Sequence, residues 1–178
     1  MSKFDFTGKK ILLTGASRGF GKALAFALVE AGATVYGVGR NQKNLDELLE
    51  ENGKIVGICC DVADGKKLEE LLDPHHPFDI LINNAAVGEP HPFLDATEAT
   101  YDQMLNVNLK APFFICQVVA KAMVEHKVSG VILNVSSIGS KMAAPHNTIY
   151  ASSKAGLDHL NRCLAVELGP MGIRVNTI

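Results

Sequence analysis

Six short β-rich runs alternate with longer segments of helical period, and this alternation limits what the chain can become. The runs are Lys10–Thr14, Thr34–Val38, Lys54–Cys60, Asp79–Ile82, Gly130–Val135 and Ile173–Ile178. Phe20–Ala31 repeats apolar residues at helical spacing and stops at Gly32. Asn41 can cap a polar helix that runs through Glu51 with Leu45, Leu48 and Leu49 on one face. Lys66–Leu72 is a short helix, ended by Pro74 and Pro77. Thr97–Val124 is a long helix with a bend expected near Pro112, and Thr148–Leu168 is closed by Gly169-Pro170. Strands alternating with helices make βαβ units and a parallel α/β sheet covered on both faces. The continuous apolar run Ile80-Leu81-Ile82 suits a strand buried on both sides.

The chain has 178 residues, 47% hydrophobic and 20% charged, enough for one domain over residues 1–178 with a core of its own. A net charge of −2 argues against nucleic acid or an anionic membrane as the main partner. Cys59, Cys60, Cys116 and Cys163 show no CxxC or Cys/His spacing, so no metal site is expected. Reduced, buried thiols fit a cytoplasmic protein. Met1-Ser2-Lys3-Phe4-Asp5-Phe6 has no apolar signal core, and no apolar stretch approaches the roughly 18 residues of a membrane span. The last strand stops at Ile178 with an apolar edge, so the chain is expected to be truncated at its C-terminus.

After the first run comes Thr14-Gly15-Ala16-Ser17-Arg18-Gly19-Phe20-Gly21. Glycine is needed where the turn is tight, where backbone approaches a pyrophosphate, and where helix packs on strand. A helix starting near Gly19 would aim its N–H groups and its dipole at the anion. The turn joins the first strand to the first helix of a βαβ series, which makes the sheet Rossmann-type and doubly wound. The alternative is a merely tight structural turn. An NAD site wants a carboxylate at the end of the second strand. This chain offers Gly37-Val38-Gly39-Arg40-Asn41 instead. Arg40 carries a planar fork suited to a 2′-phosphate, and Arg18 can reach the same region, so NADP(H) is favoured over NAD. Either arginine taken alone could be a solvated surface charge.

Tyr150-Ala151-Ser152-Ser153-Lys154 sets a phenol and an amine on one helical face. A free phenol titrates near pH 10, too high for proton exchange at neutral pH, and a neighbouring cation lowers that value. General acid–base catalysis requires such matching. The pair opens the helix after the fifth strand, which ends Asn134-Val135-Ser136-Ser137. Ligands of open α/β sheets bind outside the carboxyl ends of the strands, so Ser137 and Tyr150 are expected to face the same crevice.

Together these pieces resemble the classical short-chain dehydrogenase/reductase family: Thr14-Gly-x-x-x-Gly-x-Gly21, Asp61-Val62, Asn83-Asn84-Ala85-Ala86, Asn108, Ser137 and Tyr150-x-x-x-Lys154. The resemblance runs from Phe6 to Ile178. Within the family it is nearest the L-xylulose (dicarbonyl) reductases, through Asn83–Val87, Pro92-Phe93-Leu94, Asn106–Leu109 and Ala165–Pro170. It implies that Tyr150 protonates the carbonyl oxygen and that Lys154 lowers the phenol's pKa and holds the nicotinamide ribose. Ser137 would bind the substrate oxygen, an oxyanion-type stabilisation. Asn108 would hold a water linking Lys154 to solvent. Asp61 and Val62 would meet the adenine, and Asn83 and Ala85 would line the cofactor beside Gly15, Ser17, Arg18, Gly19, Phe20 and Gly21.

More ordinary readings stand beside these. Asn83 and Asn84 could only cap a turn, and Ser136 rivals Ser137, although the family's spacing matches Ser137. Asn147 and His146 could touch substrate or lie in a surface loop. Phe113-Phe114-Ile115 reads as core or subunit contact, and the remaining histidines as solvated or structural. Thr97–Val124 and Thr148–Leu168 are the usual subunit-contact helices of the family, which implies a homodimer or homotetramer. The family's Pro-Gly turn, substrate lid and seventh strand lie beyond Ile178. The implied activity is NADPH-dependent reduction of an α-dicarbonyl or a ketose such as L-xylulose. The alternatives are a 3-oxoacyl or steroid reductase, and a catalytically silent NADP-binding chain.

Overall fold

A computed structural model describes residues 4–178; the signal-sequence reading rests partly on Met1, Ser2 and Lys3, which lie outside the described residues. Six strands form one parallel sheet: β1 (Lys10–Thr14), β2 (Thr34–Gly39), β3 (Ile55–Cys59), β4 (Ile80–Asn83), β5 (Val131–Asn134) and β6 (Arg174–Thr177). Their order is β3-β2-β1-β4-β5-β6, with every neighbour parallel. The order reverses between β1 and β4, and this switch point is where an open α/β sheet leaves its crevice.

Side-chain alternation divides the strands between two cores. Ile11 and Leu13 of β1 pack with Ala25 and Leu28 of α1 (Gly19–Glu30) and Leu45 and Leu48 of α2 (Gln42–Glu51). Leu12, Leu81 and Ile132 pack on the opposite face with Leu68 of α3 (Gly65–Leu72) and with Val119 and Met123 of a later helix. Ile11, Leu12 and Leu13 are fully buried, each contributing about 1.5–3 kcal/mol of apolar transfer. Asn41 caps α2 as expected, its side chain accepting from the Asn44 N–H at 3.0 Å.

The expected single helix over Thr97–Val124 is interrupted. It consists of α4 (Glu98–Leu105), a π-turn over Asn106–Lys110, and α5 (Ala111–Glu125). The Ala111 N–H reaches back five residues to the Asn106 carbonyl. Pro112 has no N–H, so the carbonyl of Asn108 loses the partner it would have in an α-helix. The irregularity therefore lies just before Pro112. The run Glu98–Glu125 also corrects the absence of any span-length segment: it has 28 residues, a window of mean hydropathy 1.3, and sufficient length to cross a membrane. Within that window 56% is buried, with Ile115, Val119 and Met123 against the sheet, the pattern of a core helix.

The last helix, α6 (Thr148–Leu168), has the expected bounds and packs against β6. Beside it runs a buried amide chain. Asn83 Nδ2 donates to Asn134 Oδ1 at 2.9 Å, and Asn134 Nδ2 donates to Asn161 Oδ1 at 3.0 Å. The chain ties β4, β5 and α6 together. All four cysteines are unpaired, and Cys60 and Cys116 are buried. Cys163 is exposed, against expectation, because it lies on the outer side of α6 at the groove with α5. His75 and His76 are structural, stacked against Tyr36 and Phe78 with ring centroids 4.9 and 5.1 Å apart.

Candidate active site

The turn after β1 folds back on itself. Gly15 takes φ +69°, and a Cβ there would come within 2.9 Å of the Ala85 Cα. A Cβ at Gly21 would stand 2.0 Å from the Gly15 carbonyl oxygen. Only glycine allows this approach. Thr14 locks the turn to the β4 loop: its Oγ1 accepts from the N–H groups of Asn84 and Ala85, both at 3.0 Å. Asn84 Nδ2 donates in return to the Thr14 and Gly15 carbonyls at 3.0 and 3.2 Å.

Above the turn lies a cleft of about 340 Å³, lined by Gly15, Ser17, Arg18, Gly19, Phe20 and Gly21. Its far wall adds Arg40, Asp61, Val62 and Ala85. The Asp61 Oδ1 accepts from the Ala63 N–H at 2.9 Å, which fixes the carboxylate at the rim. α1 enters this cleft with its first turn uncapped by any side chain and without an acidic residue. Its leading N–H groups therefore lack the acceptor a helix start requires. The guanidinium groups of Arg18 and Arg40 have no ion pair among the described residues. Orphan donors, two cations and a glycine-tight backbone fit the diphosphate and adenosine end of a dinucleotide. The side chain of Asn83 lies instead in the amide chain, bonded to Asn134, with its Oδ1 buried and unpartnered.

The acid–base pair stands next door. Tyr150 lines a recess with Ala86, Val87, Gly88, Pro90 and Asn147, and Ala86 and Val87 also line the glycine cleft. The Lys154 Nζ lies 5.8 Å from the centre of the Tyr150 ring and donates to the Val135 carbonyl at 2.8 Å. Lys154 is 2% exposed, and burial pushes its amine down to about 8, opposed weakly by Asp158. Ser137 opens a short turn over Ile138–Ser140, its Oγ accepting from the Gly139 N–H at 3.1 Å. Ser136 and Ser137 line a third recess together with Phe20, which also borders the glycine cleft. Asn147 occupies the cap position of α6 but makes no cap bond; its side chain borders the Tyr150 recess instead.

Asn108 is fully buried in the π-turn. Its Oδ1 accepts from the Val87 N–H at 2.9 Å, and its Nδ2 donates to the Val87 carbonyl at 2.8 Å. The same Nδ2 donates to Ser153 Oγ at 3.1 Å, and Ser153 donates to the Tyr150 carbonyl at 2.7 Å. The amide of Asn108 is thus occupied by protein, and a water would have to use its backbone carbonyl. Thr14, Asn84 and Ser153 are the supports that residue reasoning left without a role. For Ser153 the signal was its position three residues after Tyr150, on the same helical face.

A doubly wound sheet with a glycine-tight turn after β1 and a half-buried Tyr150 beside the buried Lys154 defines a dinucleotide-binding oxidoreductase. The profile of the short chain dehydrogenase family matches residues 9–178. L-xylulose reductase of Mus musculus is 43% identical over 171 residues, covering 96% of this chain and 70% of that protein. Carbonyl reductase [NADPH] 2 of Sus scrofa is 40% identical over 176 residues, covering 99% of this chain and 72% of that protein. A 4-hydroxyisoleucine dehydrogenase solved with NADH superposes with TM-score 0.90 at 32% identity, over 96% of this chain and 72% of that one. The chain belongs to the short-chain dehydrogenase/reductase family.

Proposed function

We propose that residues 1–178 form one NADP(H)-binding unit of an NADPH-dependent carbonyl reductase, acting on an α-dicarbonyl or a ketose such as L-xylulose. The observation that carries this reading is the shared lip of Ala86 and Val87, which joins the Tyr150 recess to the cleft of Arg18 and Arg40. The relatives, an L-xylulose reductase and a carbonyl reductase, support the substrate class. Bound NADPH would supply a hydride to the carbonyl carbon.

Arg18 and Arg40 hold the 2′-phosphate, and the leading N–H groups of α1 hold the diphosphate. Gly15, Ser17, Gly19, Phe20 and Gly21 shape that cradle, Asp61 and Val62 meet the adenine, and Ala85 lines the middle. Ser137 Oγ donates to the substrate oxygen, and Asn147 borders the substrate. Tyr150 Oη gives its proton to that oxygen, so a C–H and an O–H bond form as the C=O π bond breaks. Lys154, held by the Val135 carbonyl, stabilises the phenolate left behind and reaches the nicotinamide ribose. Asn108 fixes the loop beside Tyr150, and its backbone carbonyl offers a water site on the route by which Lys154 is reprotonated.

The groove between α5 and α6, with exposed Phe113, Val124 and Met171, supports a homodimer or homotetramer built on these helices. Unpaired thiols support a cytoplasmic location. The deciding experiment is NADPH oxidation with diacetyl and with L-xylulose. Turnover that Arg40→Asp shifts towards NADH is expected. Activity with 3-oxoacyl thioesters alone overturns the substrate class, and 2′,5′-ADP binding without turnover of any carbonyl compound overturns the reductase reading.

A further inference from the structure

We propose that Gly88 is a positioning residue for the Tyr150 phenol, the wall against which the ring is set. This inference rests on Tyr150 being the proton donor. A Cβ built at Gly88 would come 2.9 Å from Tyr150 Cδ2, 3.1 Å from Cε2 and 3.6 Å from Cγ. On the other side, a Cβ at Gly139 would be 3.8 Å from Cδ1. The ring therefore lies between two stretches of bare backbone, and the closer is Gly88. The backbone at Gly88 does not itself demand glycine, since Gly88 is not among the residues with positive φ. It is the ring that excludes a side chain.

The wall is held rigidly. Val87, the preceding residue, has its N–H and its carbonyl both bonded to the side chain of Asn108. Asn108 is bonded in turn to Ser153, and Ser153 to the Tyr150 carbonyl. The loop carrying Gly88 and the helical turn carrying Tyr150 are thus tied to one buried amide. A methyl group at position 88 cannot be absorbed by retreat of the loop, so the ring has to move. The clearance lies on the opposite edge, where a Cβ at Gly139 would still be 3.8 Å from Cδ1, so the ring is pushed that way and its setting against Lys154 changes. Misplacement of a reacting group by about 1 Å is enough to cost up to about 100-fold in rate.

The test is Gly88→Ala, with Gly65→Ala as control, since a Cβ at Gly65 meets nothing within 4 Å. Three quantities are read: the rate of Tyr150 nitration by tetranitromethane, followed by peptide mass spectrometry with Tyr36 as internal reference; kcat for diacetyl reduction; and binding of 2′,5′-ADP. In Gly88→Ala, Tyr150 is expected to nitrate several-fold faster and kcat to fall about tenfold or more, with 2′,5′-ADP binding unchanged. Gly65→Ala changes none of these. Wild-type nitration of Tyr150 in Gly88→Ala overturns the proposal, whether or not kcat falls. If Gly88→Ala alone loses 2′,5′-ADP binding, removing the ring in Gly88→Ala/Tyr150→Ala is expected to restore it, and failure to do so also overturns the proposal. A wild-type protein that turns over no carbonyl compound sinks the reductase reading, while the nitration rates still decide whether Gly88 sets the ring.

Discussion

The Lys154 amine donates to the Val135 carbonyl at 2.8 Å, so the first residue past β5 holds the cation that α6 carries. The bond joins the sheet's carboxyl edge to the helix bearing Tyr150. Around it the amine is buried, and burial pushes it down from 10.5 to about 8.

That value sets a pH dependence. As pH rises through about 8, Lys154 loses its proton and no longer supports a phenolate on Tyr150. The kcat for carbonyl reduction is therefore expected to decline from about pH 8 upward. Lys154→Arg, which stays charged, should remove that limb from whatever activity it retains. Steady-state rates between about pH 6 and about pH 9.5 check both.

The same burial costs stability. The folded amine titrates at about 8 and the unfolded one at 10.5, so between these values the unfolded chain binds more protons. Native stability should rise with pH across that window, and the full penalty applies below it. Lys154→Met removes the penalty but leaves the Val135 carbonyl without its donor, a loss of about 1–3 kcal/mol. The net expectation near neutral pH is a gain of about 1–2 kcal/mol in urea unfolding, with reductase activity abolished.

His76 works in the opposite pH range. Both ring nitrogens are buried without a partner, and burial lowers its pKa below the ordinary 6.5, with Asp73 opposing. A base with a lowered folded pKa contributes full stability above the unfolded value and loses it as pH falls. His76→Phe should flatten the acid side of the stability profile, read as Tm against pH below about 6.5.

Gly21→Ala brings a methyl group to 2.0 Å from the Gly15 carbonyl oxygen. The turn has to open, and 2′,5′-ADP binding should be lost with it. Gly19→Ala gives a contrast: position 19 has φ +53° but open space around a Cβ, so its cost is backbone strain alone. Calorimetric titration of both variants separates a blocked cradle from a strained one.

Asn134→Leu breaks the buried amide chain, leaving Asn83 Nδ2 with only the Cys116 sulfur as acceptor and Asn161 Oδ1 without its donor. One orphaned buried acceptor and one weakened donor should destabilise the protein by roughly 1–3 kcal/mol in urea unfolding. A loss under about 0.5 kcal/mol would mean that the chain contributes nothing measurable.

Periodicity was enough to read the six strands and four of the helical segments to within about two residues, because the inner strands are buried on both faces and each helix on one. The glycine turn and Arg40 line one cleft, and Tyr150 with Lys154 stands beside it, a placement legible because these residues sit at fixed offsets from strand ends. The π-turn was not. It arises from Pro112 withholding an N–H while the Asn108 amide is bonded across to Val87 and Ser153, and that tertiary bond leaves no periodic trace. The direction of the Asn83 side chain was not legible either. A strand-end asparagine looks the same in sequence whether it turns up to a ligand or inward to Asn134.

Arg18 and Arg40 form no ion pair among the described residues, and both face the opening that Asp61 also lines. Two cations against one carboxylate leave the mouth net positive in a protein whose formal charge is −2. Such a field draws in polyanions from beyond contact range, and mobile ions blunt it over about 8 Å at physiological ionic strength. Capture of the dinucleotide should therefore slow as salt is added, while its release, governed by close contacts inside the cradle, changes little.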